Sequence, residues 1–355
     1  MMREEEKQER FRSHLLRWYA QEGRRLPWRE HITPYRTWVS EIMLQQTRVE
    51  AVIPYFERFI TTFPSLRDLA EADDDLLHKM WEGLGYYSRV RNMKKCAQVC
   101  VEHHDGELPH TRDALLELPG IGPYTAGAIA SIACNERVCA VDGNVLRVFS
   151  RILCSEEDIS AASAKKKIEQ SMTAYLPDAA QISAFNQALM DLGAMVCLPK
   201  GEPRCAQCPV QTECAAFACG MQTQLPVRTA KKPRRIEEHT VLIYACQQRL
   251  RLIRRPSKGL LSGLYGFEMT EERLSEEAVK QAHPDERVVA LGHHVHVFTH
   301  VEWHMDAFLI ETKTADASYH SPQEIDRRYA LPTAFRPFYQ AALRCMKEMG
   351  HIYEK

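Results

Sequence analysis

Apolar residues recur at helical spacing through the first two-thirds of the chain and alternate at strand spacing in the last third. Residues 5–22 bring Phe11, Leu15, Trp18 and Tyr19 onto one face and predict a helix. The run Arg24, Arg25, Leu26, Pro27, Trp28, Arg29 is too stiff and basic for a helix interior. Thr33-Pro34 marks a helix start, since proline is tolerated at the first helical position. The stripe Trp38, Ile42, Val49, Ile53, Phe56, Ile60 then predicts a core helix running through all six. Small residues predict a helix over 126–133, and an exposed amphipathic helix is expected over 165–176. Residues 222–238 turn basic and proline-containing and read as a linker. Beyond His239 the runs 240–246, 249–254, 294–298 and 302–312 read as strands, with helices near 271–282 and 337–349. The expected organisation is a mainly α region over 1–221 and an α+β domain over 239–355.

At 355 residues, 45% hydrophobic and 26% charged, the chain has the composition of an ordinary two-domain globular protein. No apolar run approaches the ~18–20 residues that span a bilayer. The first dozen residues are charged throughout and carry no signal core, so a cytoplasmic protein with no membrane partner is expected. A net charge of −1 means that any binding of DNA must rest on local patches. Arg24 with Arg25, and the segments 89–95, 231–235 and 251–258, supply such patches. Of the 12 cysteines, eight are scattered and imply no disulfide framework.

The chain is organised around residues 118–148. Gly120 and Gly122 flank one apolar residue in Leu-Pro-Gly-Ile-Gly-Pro-Tyr-Thr, and a helix start follows at once. Glycine allows positive φ and close approach of another backbone, and the free N–H groups of the turn with the helix dipole suit a phosphate. Downstream, Asp142 ends an apolar run and opens Asp-Gly-Asn-Val-Leu-Arg-Val. A phosphate grip beside a lone carboxylate points to chemistry on nucleic acid. Glu41, beside the core stripe, can be drawn out of water, which raises a carboxyl's pKa and suits a general acid.

This stretch resembles the helix-hairpin-helix and catalytic loop of the DNA glycosylases related to endonuclease III. In the lyase-competent members a lysine follows two places after the second hairpin glycine, where it forms a Schiff base. Tyr124 holds that position here, followed by Thr125. The chain is therefore most similar to the lysine-free branch, the adenine DNA glycosylases of the MutY type. The resemblance extends to Trp38–Thr47, where it implies that Glu41 protonates adenine and that Gln46 and Thr47 act near the orphaned opposite base. It implies that Arg24, Trp28 and Arg29 contact the target base, and that Leu84 and Tyr86 wedge into the duplex. Asp142, held near Asn144, would stabilise the cationic sugar, with Tyr124 orienting or shielding that carboxylate.

Cys197, Cys205, Cys208 and Cys214 form a C-x7-C-x2-C-x5-C pattern in one short loop over 197–214. Four thiolates so close in sequence need a metal, and a compact loop with unequal gaps suits a 4Fe–4S cluster ahead of zinc. The resemblance implies six residues in the first gap, so one extra lies within 198–204, where Pro199, Gly201 and Pro203 let the loop bulge. Lys200 and Arg204 there favour a nearby phosphate, and Cys219 is a bystander.

The second domain resembles a Nudix-like fold, including the stretch 255–264. The acidic magnesium box is missing after Gly266, which implies recognition without hydrolysis. Phe298, Thr299 and His300 match a loop that reads 8-oxoguanine, with threonine where serine is usual. The nearby His293, His294, His296 and His304 are a weaker candidate for zinc. Together these features imply a monomeric, monofunctional adenine DNA glycosylase. Its substrate would be duplex DNA carrying adenine opposite 8-oxoguanine or guanine. Rival readings are a glycosylase/lyase, a non-catalytic damage sensor and a nucleotide hydrolase.

Overall fold

The structure, a computed structural model, describes residues 4–229 and 233–350. Lys231 and Lys232 of the expected basic patch lie outside them, as do the outer ends of the two expected domains. The chain divides into two compact units, one of residues up to 71 with 91–230, the other of 72–90 with residues from 231 onward. No helix among the described residues is long and apolar enough to cross a membrane.

The first unit is helical. Its opening helix, Glu4–Glu22, starts with three glutamates, which suit the positive end of the dipole. It buries Phe11 and Leu15, and Phe11 meets the rings of Tyr175 and Phe149 at 5.1 and 5.9 Å. Residues 27–30 do form a short helix, against expectation, because Pro27 stands at its first turn, where its missing N–H costs nothing.

The expected long core helix is broken. Pro34–Leu44 is one helix, capped by the Thr33 side chain, and Val49–Thr62 is another. Gln46 between them has φ +62°, which ends the first helix and resets the phase of the second. The buried set of the second helix is consequently Val52, Phe56 and Phe59, while Val49, Ile53 and Ile60 are only half-buried. The small-residue segment forms an α-helix over Pro123–Ala128 that widens into a π turn over Ile129–Ala133. The amphipathic helix spans Ala162–Thr173 and turns Ile168 and Met172 inward.

The long helix Ala179–Met195 buries a nearly continuous surface. Its Asn186 accepts from the Ala140 amide at 3.0 Å and donates to the Val138 carbonyl at 3.1 Å, which fixes the extended segment leading to Asp142.

The second unit is built on β1 (Arg235–Cys246), β2 (Arg249–Arg251), β3 (Ile253–Arg254), β4 (Tyr265–Gly266), β5 (Glu268–Thr270), β6 (Arg287–Val297), β7 (Val301–Glu311) and β8 (Tyr319–His320). The main sheet runs β6-β7-β1-β2-β8, with β5 also on β1 and a separate β3-β4 pair. β1 and β7 are parallel along their whole length, so residues 235–238 of the expected linker are already strand. β6 and β7 form a hairpin with a bulge at Ala290/Gly292. Helix Arg336–Glu348 lays Phe338, Tyr339, Ala342 and Met346 on the sheet's Val241, Ile243, Trp303, Met305 and Leu309. The helix expected over 271–282 starts only at Glu276, because Ser275 caps it.

Residues 72–90 belong with this unit, which the sequence does not announce. Glu82 accepts from the Leu331 amide at 2.9 Å and pairs with Arg336. Lys79 bonds Glu82 at 2.6 Å and the Tyr329 carbonyl at 3.1 Å.

Candidate active site

A cavity of about 800 Å³ in the helical unit is lined by Glu41, Tyr124, Asp142 and Asn144. Arg24, Trp28, Arg29, Gln46, Thr47, Gly120 and Gly122 line the same cavity. The sequence-predicted residues of the helical unit, cysteine loop apart, thus meet in one place.

Glu41 lies on the almost wholly buried helix Pro34–Leu44 and is 6% exposed. Burial pushes its carboxyl up to about 7. The Tyr124 hydroxyl and Arg29 pull it down, and the Asp142 charge pushes it further up. Tyr124 donates its hydroxyl hydrogen bond to Glu41 and not to Asp142, so the carboxylate it orients is the other one.

Asp142 caps the helix Gly143–Ile152. It accepts from the amides of Asn144 (2.9 Å) and Val145 (2.7 Å) and from the Asn144 side chain (2.8 Å). Burial raises its carboxyl, opposed by those three donors and by Arg147. The cap and the candidate catalytic group are one residue. Arg147, part of the sequence motif but given no role there, donates to Asn144 Oδ1 (2.9 Å), the Gly193 carbonyl (2.7 Å) and the Cys197 carbonyl (2.8 Å). A continuous set of hydrogen bonds therefore runs from Asp142 to the cysteine loop.

The arginines are committed to another partner. Asp191, with no exposed surface, accepts from Arg24 Nε (2.7 Å) and the Arg24 amide (2.9 Å). It also accepts from both Nη atoms of Arg29, at 2.8 and 3.0 Å. Trp28 is buried edge-on against Phe56. Arg24 and Arg29 thus form part of the cavity wall and are not free side chains. Asp191 and the lining residue Gln187 carry no sequence signal beyond being polar residues four apart on a mostly apolar helix.

Of the hairpin glycines only Gly120 has positive φ, +78°, and a Cβ there would meet Asn92 Cβ at 2.7 Å. Gly122 is extended, at φ −94° and ψ 175°, and caps the helix Pro123–Ala128, with open space where a Cβ would go.

The remaining candidates lie in the second unit. Leu84 is buried, whereas Tyr86 is 47% exposed at φ +47°, so of the two only Tyr86 reaches the surface. Its hydroxyl shares a 2.7 Å hydrogen bond with the Thr299 hydroxyl. Phe298 packs edge-on against Trp303, and the His300 carbonyl accepts from the Arg235 amide. His293 pairs with Asp306 at 2.8 Å, and among the described residues no group of three or more His, Cys, Asp or Glu is placed to hold a metal ion.

The four cysteines of the loop nevertheless all line one cavity of about 30 Å³ with Val148, Ile152, Leu192 and Val210. A multi-atom centre needs sulfurs spread round a volume and not drawn to a point. Burial pushes the Cys208 thiol up to about 12 and raises Cys205 and Cys214, each aided by the other thiols. Those three thiolates would thus persist there only around positive charge. Arg151 donates to Cys197 Sγ at 3.1 Å, an added cationic partner.

Residues 39–178 match the family described as the HhH-GPD superfamily of base excision DNA repair proteins, and residues 239–341 match the NUDIX domain. The chain is 34% identical to the adenine DNA glycosylase of Mus musculus, over 97% of this chain and 78% of that protein. It is 34% identical to the one of Homo sapiens, over 82% and 65%. Among solved structures, a thermostable thymine-DNA glycosylase superposes with a TM-score of 0.53 at 26% identity, covering 60% of this chain and 97% of that one. An endonuclease III–DNA complex superposes at 0.52 and 20% identity, over 62% and 100%, which bears on the fold alone.

Proposed function

The chain belongs to the adenine DNA glycosylase family, and from that premise we propose that it releases adenine mispaired with 8-oxoguanine or guanine in duplex DNA. The carrying observation is the pair of unlike carboxyls on one cavity: Glu41 buried with a value of about 7, Asp142 held by three N–H donors. Pairs of titratable groups pushed apart by their surroundings divide acid from base duties.

Adenine leaves the stack and enters the cavity. The Glu41 carboxyl gives its proton to the base at N7, and the C1′–N9 bond breaks with its electrons passing to adenine. The cationic sugar is stabilised by Asp142 or adds to it, as in glycoside hydrolysis. Water attacks C1′ and returns a proton to Glu41. Tyr124 in place of a lysine supports a monofunctional enzyme, since a phenol forms no Schiff base. Gln46, Thr47 and the hairpin glycines Gly120 and Gly122 are assigned to the opposite base and the DNA backbone. Arg24, Trp28 and Arg29 are assigned to the wall that the adenine meets.

Cys197, Cys205, Cys208 and Cys214 would hold a 4Fe–4S cluster, whose iron–thiolate bonds lock the loop. The second domain is assigned to recognition of 8-oxoguanine through Phe298, Thr299 and His300, without hydrolysis, and the Tyr86–Thr299 hydrogen bond supports a joined wedge and reader.

The test is a duplex with one adenine opposite 8-oxoguanine, scored for strand breaks with and without alkali. Breaks only after alkali are expected. Breaks without alkali would indicate a lyase, and binding without base release would indicate a sensor.

A further inference from the structure

We propose that Asp191 is a positioning residue for the reaction, one that takes up Arg24 and Arg29 at the cavity wall and so keeps either guanidinium from pairing with Glu41. The proposal rests on reading Glu41 as the general acid.

Asp191 is fully buried on the helix Ala179–Met195, and its two oxygens accept from both arginines. Arg29 Nη1 also reaches the Arg24 carbonyl at 3.1 Å, which ties the trio together. Such bidentate contacts are the strongest and most directional a carboxylate forms with arginine. Burial alone would raise the Asp191 carboxyl, but the two arginines outweigh it and hold it below the ordinary value, so it stays charged as an acceptor.

Glu41 opens on the same cavity as both cations. The charged and titratable groups that face it are Tyr124, Asp142 and Arg29. A guanidinium released from Asp191 would have Glu41 as a ready partner, and an arginine in contact lowers a carboxyl's pKa by about 1–3 units. The proton needed at neutral pH would then be lost. With Glu41 as the acid, Asp191 thus has a duty besides packing, namely to absorb positive charge next to a group that must stay neutral.

The experiment is the pH profile of single-turnover adenine release by the full chain. Asp191→Asn should move the alkaline limb to lower pH by about one unit or more, a loss of about tenfold or more at pH 7.5 that recovers as pH falls. Arg24→Gln/Arg29→Gln and Arg24→Gln/Arg29→Gln/Asp191→Asn should share one limb, because Asp191 acts only while a cation is there to be held. A loss in Asp191→Asn that is equal at every pH, or a limb that still differs between the last two variants, overturns the proposal. That second comparison stands even where Asp191→Asn alone fails to fold. Glu41→Gln is run beside them: normal turnover there overturns the acid assignment itself, a result distinct from failure of the Asp191 cycle.

Discussion

Glu41 and Asp142 are both buried carboxyls, but one has a single phenol as its hydrogen-bond donor and the other has three N–H donors. The folded value of Glu41, about 7 against an ordinary 4.5, has a consequence for stability. Between those two values the folded protein binds more protons at this site than the unfolded chain, so stability falls as pH rises through the window. Glu41→Gln should therefore abolish base release, leave DNA binding intact and be more stable than the parent at pH 8, by about 1–3 kcal/mol. That difference should shrink toward zero below pH 4.5, and thermal melts at the two pH values check it. Asp142 separates differently. Asparagine caps a helix as well as aspartate, so Asp142→Asn should leave Tm nearly unchanged while base release drops by about 10²–10³ or more. Asp142→Ala should add a cap loss of about 1 kcal/mol. Equal melting of the two variants would mean that the cap observed at Asn144 and Val145 contributes nothing.

Among the elements, the two hairpin glycines look equivalent in sequence and are not. Gly120→Ala places a Cβ 2.7 Å from Asn92 at positive φ, and should destabilise the helical unit by about 1–3 kcal/mol. Gly122→Ala meets open space at an ordinary backbone angle and should fold normally. If the hairpin grips a phosphate, the same variant should still weaken duplex binding several-fold, and a binding titration beside a melt distinguishes the two cases. The periodicity of Trp38, Ile42 and Phe56 was legible, as was the place of Glu41 beside it. The break at Gln46 was not, because a single left-handed residue leaves no mark on hydrophobic spacing. Nor was the use of Asp191 to hold two arginines from residues 24–29, which depends on contacts more than 160 positions apart.

At the scale of the molecule, the sequence places a cut near residues 222–238, and the sheet does begin there, at Arg235. Composition could not reveal that residues 72–90 are claimed by the second unit through Lys79, Glu82 and Tyr86. A chain ending at 229 should consequently keep its helical core but lose hydrogen-exchange protection across 72–90, where Glu82 has lost Arg336 and the Leu331 amide. Full protection there would show that the segment holds itself. The hydrogen bonds that begin at Asp142 pass through Asn144 and Arg147 and stop at the carbonyl of Cys197, on the near side of the seven-residue gap. Residues 198–204, which hold the one extra residue, lie outside that set, tied only at their ends by Arg151 on the Leu198 carbonyl (3.0 Å) and the Arg204 amide on the Val196 carbonyl (2.9 Å). Insertions and deletions can accumulate there over evolutionary time without shifting the carboxylate, whereas a change at Arg147 has no such latitude.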